Sequence, residues 1–161
     1  AFGDGRHATT RLCAKLMRSI YDTQTPASVL DIGTGTGILA ILAEKWGSKK
    51  IDAVDIDPQS VQKTKENLAR NACVITTTYE ANIIQDCPAK TYDLVIANIL
   101  TDVIEKSIDN IISACKKGGV IVFSGISKPR RASMLALFKN KGLDIETCID
   151  MDGWLGIQAT K

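Results

Sequence analysis

The chain has 161 residues, 45% of them hydrophobic and 24% charged, with a formal net charge of +2. That length supports one sizeable core, and a nearly balanced charge gives no reason to expect nucleic acid or an anionic membrane as a partner. No apolar run reaches the roughly 20 residues of a membrane span and no signal peptide opens the chain, so a single cytoplasmic domain with no membrane contact is expected.

The cysteines, Cys13, Cys73, Cys87, Cys115 and Cys148, are scattered, odd in number and without a CxxC pair, and His7 is the only histidine. No metal site is expected from such a set. The cysteines read as unpaired buried thiols of a reducing compartment, with a covalent nucleophile among them as the minor alternative.

Residues 1–10, AFGDGRHATT, form a glycine-punctuated loop. Thr9 or Thr10 then begins a helix to about Tyr21, with Leu12, Leu16 and Ile20 on one face and Pro26 beyond its end.

The stretch SVLDIGTGTG, from Ser28 to Gly37, carries the most chemistry. Val29, Leu30 and Ile32 are the apolar residues of a buried strand, and Asp31 interrupts them just before Gly33, Gly35 and Gly37. The helical run ILAILAEKW follows. A strand turning through glycines into a helix is the first half of a nucleotide-binding unit, with the ligand at the strand's carboxyl end against bare main chain. A dinucleotide fingerprint reads GxGxxG and seats a pyrophosphate, whereas this chain reads DxGxGxG. The carboxylate of Asp31 favours a cationic ligand; S-adenosylmethionine fits, with an ammonium at its amino-acid end and a sulfonium carrying its methyl group.

The run KKIDAVDIDP closes on Asp55, twenty positions after Gly35, where a nucleotide fold places the acid that accepts the ribose hydroxyls. Ile56 is placed to lie against the adenine. Asp57 reads as the cap of the next helix because Pro58 suits a first helical position. That helix runs from Gln59 to Asn71, with Val61 and Leu68 inward and Lys63, Lys65, Glu66 and Arg70 solvated. Residues 73–79 (CVITTTY) read as a third strand. Asn82 beyond it is either a polar contact to the adenine edge or an ordinary turn asparagine.

Residues 92–97 (YDLVIA) read as a central strand buried on both faces, ending at Asn98-Ile99-Leu100. Asn98 there either faces the same crevice as Asp31 or caps a turn. A helix from Thr101 to Lys116 closes on Lys-Lys-Gly-Gly, read as a C-cap, and Val120 to Phe123 form a fifth strand. A helix from Ala132 to Asn140 follows, then strands from Leu143 to Asp150 and Trp154 to Thr160 with a turn at Asp152-Gly153. Strands alternating with helices and a closing hairpin predict an α/β fold with a doubly wound, mostly parallel sheet and one antiparallel strand.

The pieces AFGDGRHATTRLC, VLDIGTGTGILAI, VDIDPQSV, DLVIANIL, KKGGVIVFSGI and GWLGI together resemble the catalytic domain of the PrmA family, the methyltransferases of large-subunit ribosomal protein eleven. The resemblance spans the whole chain. It implies the class I methyltransferase fold, a Rossmann-like three-layer sandwich with sheet order 3-2-1-4-5-7-6 and strand seven antiparallel. It implies that Thr10, Gly33, Asp55 and Asn98 contact S-adenosylmethionine, with Phe2 and Gly3 in a loop folding over it. Asn98-Ile99-Leu100 becomes the family's Asn-Ile-Leu signature, and the acceptors become amines of a ribosomal protein, α-amino or lysine. The family loop ordinarily reads AFGTGTHPTT, so Asp4, Arg6 and Ala8 stand where threonine, threonine and proline are usual. The family also carries an N-terminal docking domain, which is not expected within residues 1–161.

Methyl transfer to an amine needs an aligned lone pair and excluded water rather than a strong base. Asn98 is the expected holder of the nucleophile, and His7 a candidate acceptor of its proton. A small-molecule or nucleic-acid methyltransferase and a catalytically silent cofactor-binding module are the alternatives. Asn98-Ile99-Leu100-Thr101 lacks the Pro-Pro-aromatic of base-amine enzymes, and an NAD enzyme is disfavoured by the glycine spacing.

Overall fold

In the computed structural model of the chain, which describes residues 5–161, the alternating pattern assembles around one sheet. In chain order the elements are α1 (Ala8–Thr23), β1 (Ser28–Ile32), α2 (Ile38–Lys45), β2 (Lys50–Asp55), α3 (Pro58–Arg70), β3 (Thr77–Glu80) and β4 (Tyr92–Asn98). They continue with α4 (Thr101–Ala114), β5 (Cys115–Ser127), α5 (Arg131–Asn140), β6 (Asp144–Met151) and β7 (Trp154–Thr160). The seven strands run in the order β3-β2-β1-β4-β5-β7-β6, as the resemblance implies. β7 pairs antiparallel with both β5 and β6, while the other neighbours pair in parallel.

Strand alternation sorts the core into two layers. Leu30, Ile32, Val95, Ala97 and Phe123 face α4 and α5, contributing to a cluster with Ile104, Ile111 and Phe138. Val29, Ile51, Leu94 and Ile96 face α1 and α2, where Leu16, Met17, Leu39 and Ala40 cover them. Asp31 shares the face of Val29, so the period-two pattern carries a carboxylate under α1 and α2. The order of strands reverses between β1 and β4, which are neighbours, and the crevice at their carboxyl ends is where such folds bind ligands.

Several expected boundaries move for reasons that lie far off in sequence. α1 begins at Ala8, one residue early, because His7 is its cap: Nδ1 accepts the Thr9 N–H at 3.2 Å. The expected strand at 73–79 is shorter, since the N–H groups of Val74, Ile75 and Thr76 are turned onto the Glu44 carboxylate of α2 at 2.8, 3.1 and 2.8 Å. Lys-Lys-Gly-Gly is no C-cap. α4 stops at Ala114, Cys115 pairs with Tyr92, and the Gly118 N–H donates to the Lys161 carbonyl at 2.8 Å, so the segment belongs to a long β5. The cap at Asp57 is as expected, its carboxylate accepting the Gln59 N–H at 2.9 Å with Pro58 in the first turn. The hairpin turn holds Asp152 and Gly153 at φ of 52° and 80°, the left-handed pair of a two-residue loop. The cysteines are free, but not all buried: Cys87 is exposed and Cys148 half-buried, because each falls on a loop or edge strand rather than in the two packed layers.

Glu44 makes a testable link between α2 and β3. Partial burial pushes its carboxyl up, but the hydrogen bonds from Thr76, Val74 and Ile75 outweigh this and hold it below the usual carboxylate range. A depressed folded pKa contributes stability present at neutral pH and lost as pH falls through the carboxylate range. Glu44→Ala is expected to destabilise by about 1–2 kcal/mol, since the freed N–H groups reach water, with the difference from wild type shrinking in acid. Urea denaturation at pH 7 and pH 4 measures both.

Candidate functional site

The glycine turn after β1 is fastened to β2 by its own main chain. The N–H groups of Gly33 and Thr34 both donate to the Val54 carbonyl, at 2.8 and 3.0 Å. Gly33 sits at φ +69°, and a Cβ there would lie 2.3 Å from the Ile99 side chain, so the tip of β4 closes directly over the turn. Asp55 completes the frame at the end of β2. Its two carboxylate oxygens accept the N–H groups of Gly35 at 2.9 Å and Asp57 at 3.0 Å, which fixes the side chain between two loops.

These elements border a cleft of about 340 Å³, within the roughly 300–1,000 Å³ of small-molecule sites. Thr10, Gly33, Gly35, Asp55, Ile56, Asn82 and Asn98 all line it, so most of the residues singled out in the sequence come together. Ile56, 65% exposed, offers an apolar surface at the mouth. Asn82 turns out to serve a turn as well: its Oδ1 accepts the Ile84 N–H at 3.1 Å while its carbonyl accepts from Gln85 and Asp86. His7 does not line the cleft; besides capping α1 it bonds Thr9 Oγ1 at 2.9 Å and meets Trp154 edge-on, ring centroids 5.4 Å apart. Phe2 and Gly3, with Asp4, lie outside the described residues. Arg6 is exposed and Ala8 is the first, buried residue of α1.

Asp31 does not line the cleft; it is buried behind Thr34, which does. Its Oδ2 accepts the Thr34 hydroxyl at 2.7 Å, a partner that the glycine motif itself carries between Gly33 and Gly35. Burial, opposed by the Thr34 hydroxyl and the Ala40 N–H and reinforced by the charge of Asp55, pushes its carboxyl up to about 7.

Among the described residues, four buried side-chain polar atoms have no hydrogen-bond partner: Thr10 Oγ1, Asp31 Oδ1, Asn98 Oδ1 and Thr78 Oγ1. Three of these belong to residues expected from the sequence to contact the cofactor. Folded proteins leave few such atoms, because each costs its desolvation. One hydroxyl and two acceptor oxygens suit a ligand that donates hydrogen bonds, such as an ammonium, and suit a phosphate poorly. No group of three or more metal-ligating side chains occurs among the described residues.

The family model for ribosomal protein L11 methyltransferase (PrmA) matches residues 1–161. The chain belongs to this family. It is 40% identical over 161 residues to the ribosomal protein L11 methyltransferase of Paraburkholderia phymatum, and 37% identical over 162 residues to that of Staphylococcus haemolyticus. Each alignment covers 100% of this chain and 51% of the relative, so the chain spans about half the length of the curated PrmA proteins it matches. Among solved structures, the ribosomal protein L11 methylase of Lactobacillus delbrueckii subsp. bulgaricus superposes with a TM-score of 0.88 at 28% identity, covering 95% of this chain and 78% of that one. The N-methyltransferase NodS from Bradyrhizobium japonicum, in complex with S-adenosyl-l-homocysteine, gives a TM-score of 0.78 at 16% identity over 97% and 89% of the two chains, a likeness of fold. The fold of this PrmA-family chain is the Rossmann-like class I methyltransferase sandwich.

Proposed function

We propose that residues 1–161 form one methyltransferase domain that binds S-adenosylmethionine and transfers its methyl group to an amine of a protein, with a ribosomal protein as the first acceptor to test. The observation that carries the reading is that Thr10 and Asn98, each with an unpartnered side-chain oxygen, line the same cleft as Asp55, while Asp31, also with an unpartnered oxygen, is one hydrogen bond behind it through Thr34. Asp31, Asn98 and Thr10 would take the amino-acid end, Gly33 and Gly35 would let the ligand lie against main chain, and Asp55 would accept the ribose hydroxyls. Ile56 and Asn82 would border the adenine.

When bound, S-adenosylmethionine supplies a methyl group on positively charged sulfur, open to in-line attack by a lone pair. Asn98, at the tip of β4, aligns that lone pair, and positioning supplies most of the rate. The geometry favours a structural part for His7, which fixes the start of α1, and leaves the amine's proton to solvent at the open mouth. No described helix is long and apolar enough to cross a membrane, and we place the protein in the cytoplasm.

Calorimetric titration with S-adenosylmethionine and S-adenosylhomocysteine, with NAD as control, tests the cofactor. Micromolar binding of the first two and none of NAD is expected; absence of binding by both sinks the proposal. Binding without transfer to any ribosomal protein would instead favour the silent module, with Asp4 and Arg6 as the residues to revert.

A further inference from the structure

The geometry points to Gly125, a residue of β5 that does not line the cleft, as the positioning residue for Asn98-Ile99-Leu100. This rests on the cofactor-site reading above and extends it to a strand that reading does not use. Ile99 is held between two glycines. On one side its side chain fills the space that a Cβ on Gly33 would occupy, at 2.3 Å. On the other, a Cβ on Gly125 would lie 1.9 Å from the Ile99 carbonyl oxygen, 2.7 Å from its carbon and 3.2 Å from its nitrogen. The second contact is main chain, which cannot rotate away as a side chain end can.

Local structure is built to keep that approach. Gly125 sits at φ +83°, inside the irregularity where the register of β5 against β7 shifts between Phe123 and Ile126. Thr101, the first residue of α4, clips the same point: its hydroxyl donates to the Gly125 carbonyl at 3.0 Å and accepts the Ser127 N–H at 3.4 Å. The bulge therefore brings bare backbone against the Ile99 peptide, and the Thr101 hydroxyl ties the start of α4 to it. Asn98 and Ile99 both line the cleft, so any side chain at 125 moves cleft wall without touching a ligand.

The test is calorimetric titration of S-adenosylhomocysteine into four variants of the chain. Gly125→Ala is expected to weaken binding by about tenfold or more, the scale on which a displacement near 1 Å acts at a shaped site. Gly118→Ala is the control: it lies in the same strand at φ +80° with nothing within 4 Å of a Cβ, so it carries the same backbone strain without the collision. Its affinity should stay within about twofold of wild type, since strain that reaches no cleft residue moves no cleft wall. Thr101→Val removes the clip and should weaken binding by several fold, while Thr101→Ser, which keeps the hydroxyl, should restore it. The Thr101 pair decides the matter where Gly125→Ala fails to fold. Unchanged affinity in folded Gly125→Ala, or equal losses in Thr101→Val and Thr101→Ser, overturns the inference. If wild type itself does not bind, the proposed function has failed instead, and the two failures are distinct.

Discussion

Asp55→Ala is expected to weaken S-adenosylhomocysteine binding by roughly 2–4 kcal/mol, about 30- to 1,000-fold in dissociation constant. The loss has two parts. Each carboxylate oxygen has two lone pairs, and each spends one on a backbone N–H, from Gly35 or Asp57. The remaining capacity, at the border of the cleft, is what ribose hydroxyls would use. Alanine removes both acceptors from the ligand and also releases the glycine turn from β2 at one of its fastenings. Asp55→Asn separates the two effects: an amide of the same shape keeps one acceptor oxygen, so it should hold part of the turn and recover part of the affinity. Titration of both variants beside wild type measures this. An affinity for Asp55→Ala within about threefold of wild type would remove Asp55 from the ribose site, since an unpaired polar contact costs more than that.

What could be read in the sequence was what neighbours along the chain determine. The spacing of Gly33, Gly35 and Gly37 fixes a strand-to-helix turn, Pro58 after Asp57 fixes a cap, and an apolar run ending in Asn98 fixes a strand tip. All of these stand where they were expected. Sheet order needed the resemblance, because parallel crossovers leave several arrangements open. What escaped was decided by partners distant in sequence. Glu44 reaches 30 to 32 residues forward to claim the N–H groups that would have extended β3, and Lys161 draws Gly118 into β5. Local signals could not supply either pairing. Asn82 was open between two roles, and the structure shows the turn role while leaving its place on the cleft wall intact. Gly125 was invisible as a functional residue, since only three-dimensional proximity reveals the Ile99 carbonyl against it.

The second large effect belongs to Asp31 and is one of pH. Its carboxyl, pushed up to about 7 by burial and by the charge of Asp55, is mostly protonated at pH 6 in the empty protein. A bound ammonium would favour the carboxylate, so binding at pH 6 should expel close to one proton per ligand and at pH 8 almost none. Affinity should accordingly strengthen by up to about tenfold per unit as pH rises towards 7, then level off. The stability of the empty protein should follow the opposite trend. A folded pKa above the unfolded value contributes stability that is full below the unfolded carboxylate pKa and is lost as pH rises through about 7. Thermal melts of empty protein should therefore fall from pH 5 to pH 8, while the rise in melting temperature on adding S-adenosylhomocysteine grows over the same interval. Asp31→Asn, neutral at every pH, should flatten both trends and weaken binding most at pH 8, where wild type holds a full charge. Calorimetry at pH 6 in buffers of different ionisation enthalpy counts the proton directly. If none is released there, Asp31 does not receive the ammonium, and its unpartnered oxygen needs another explanation.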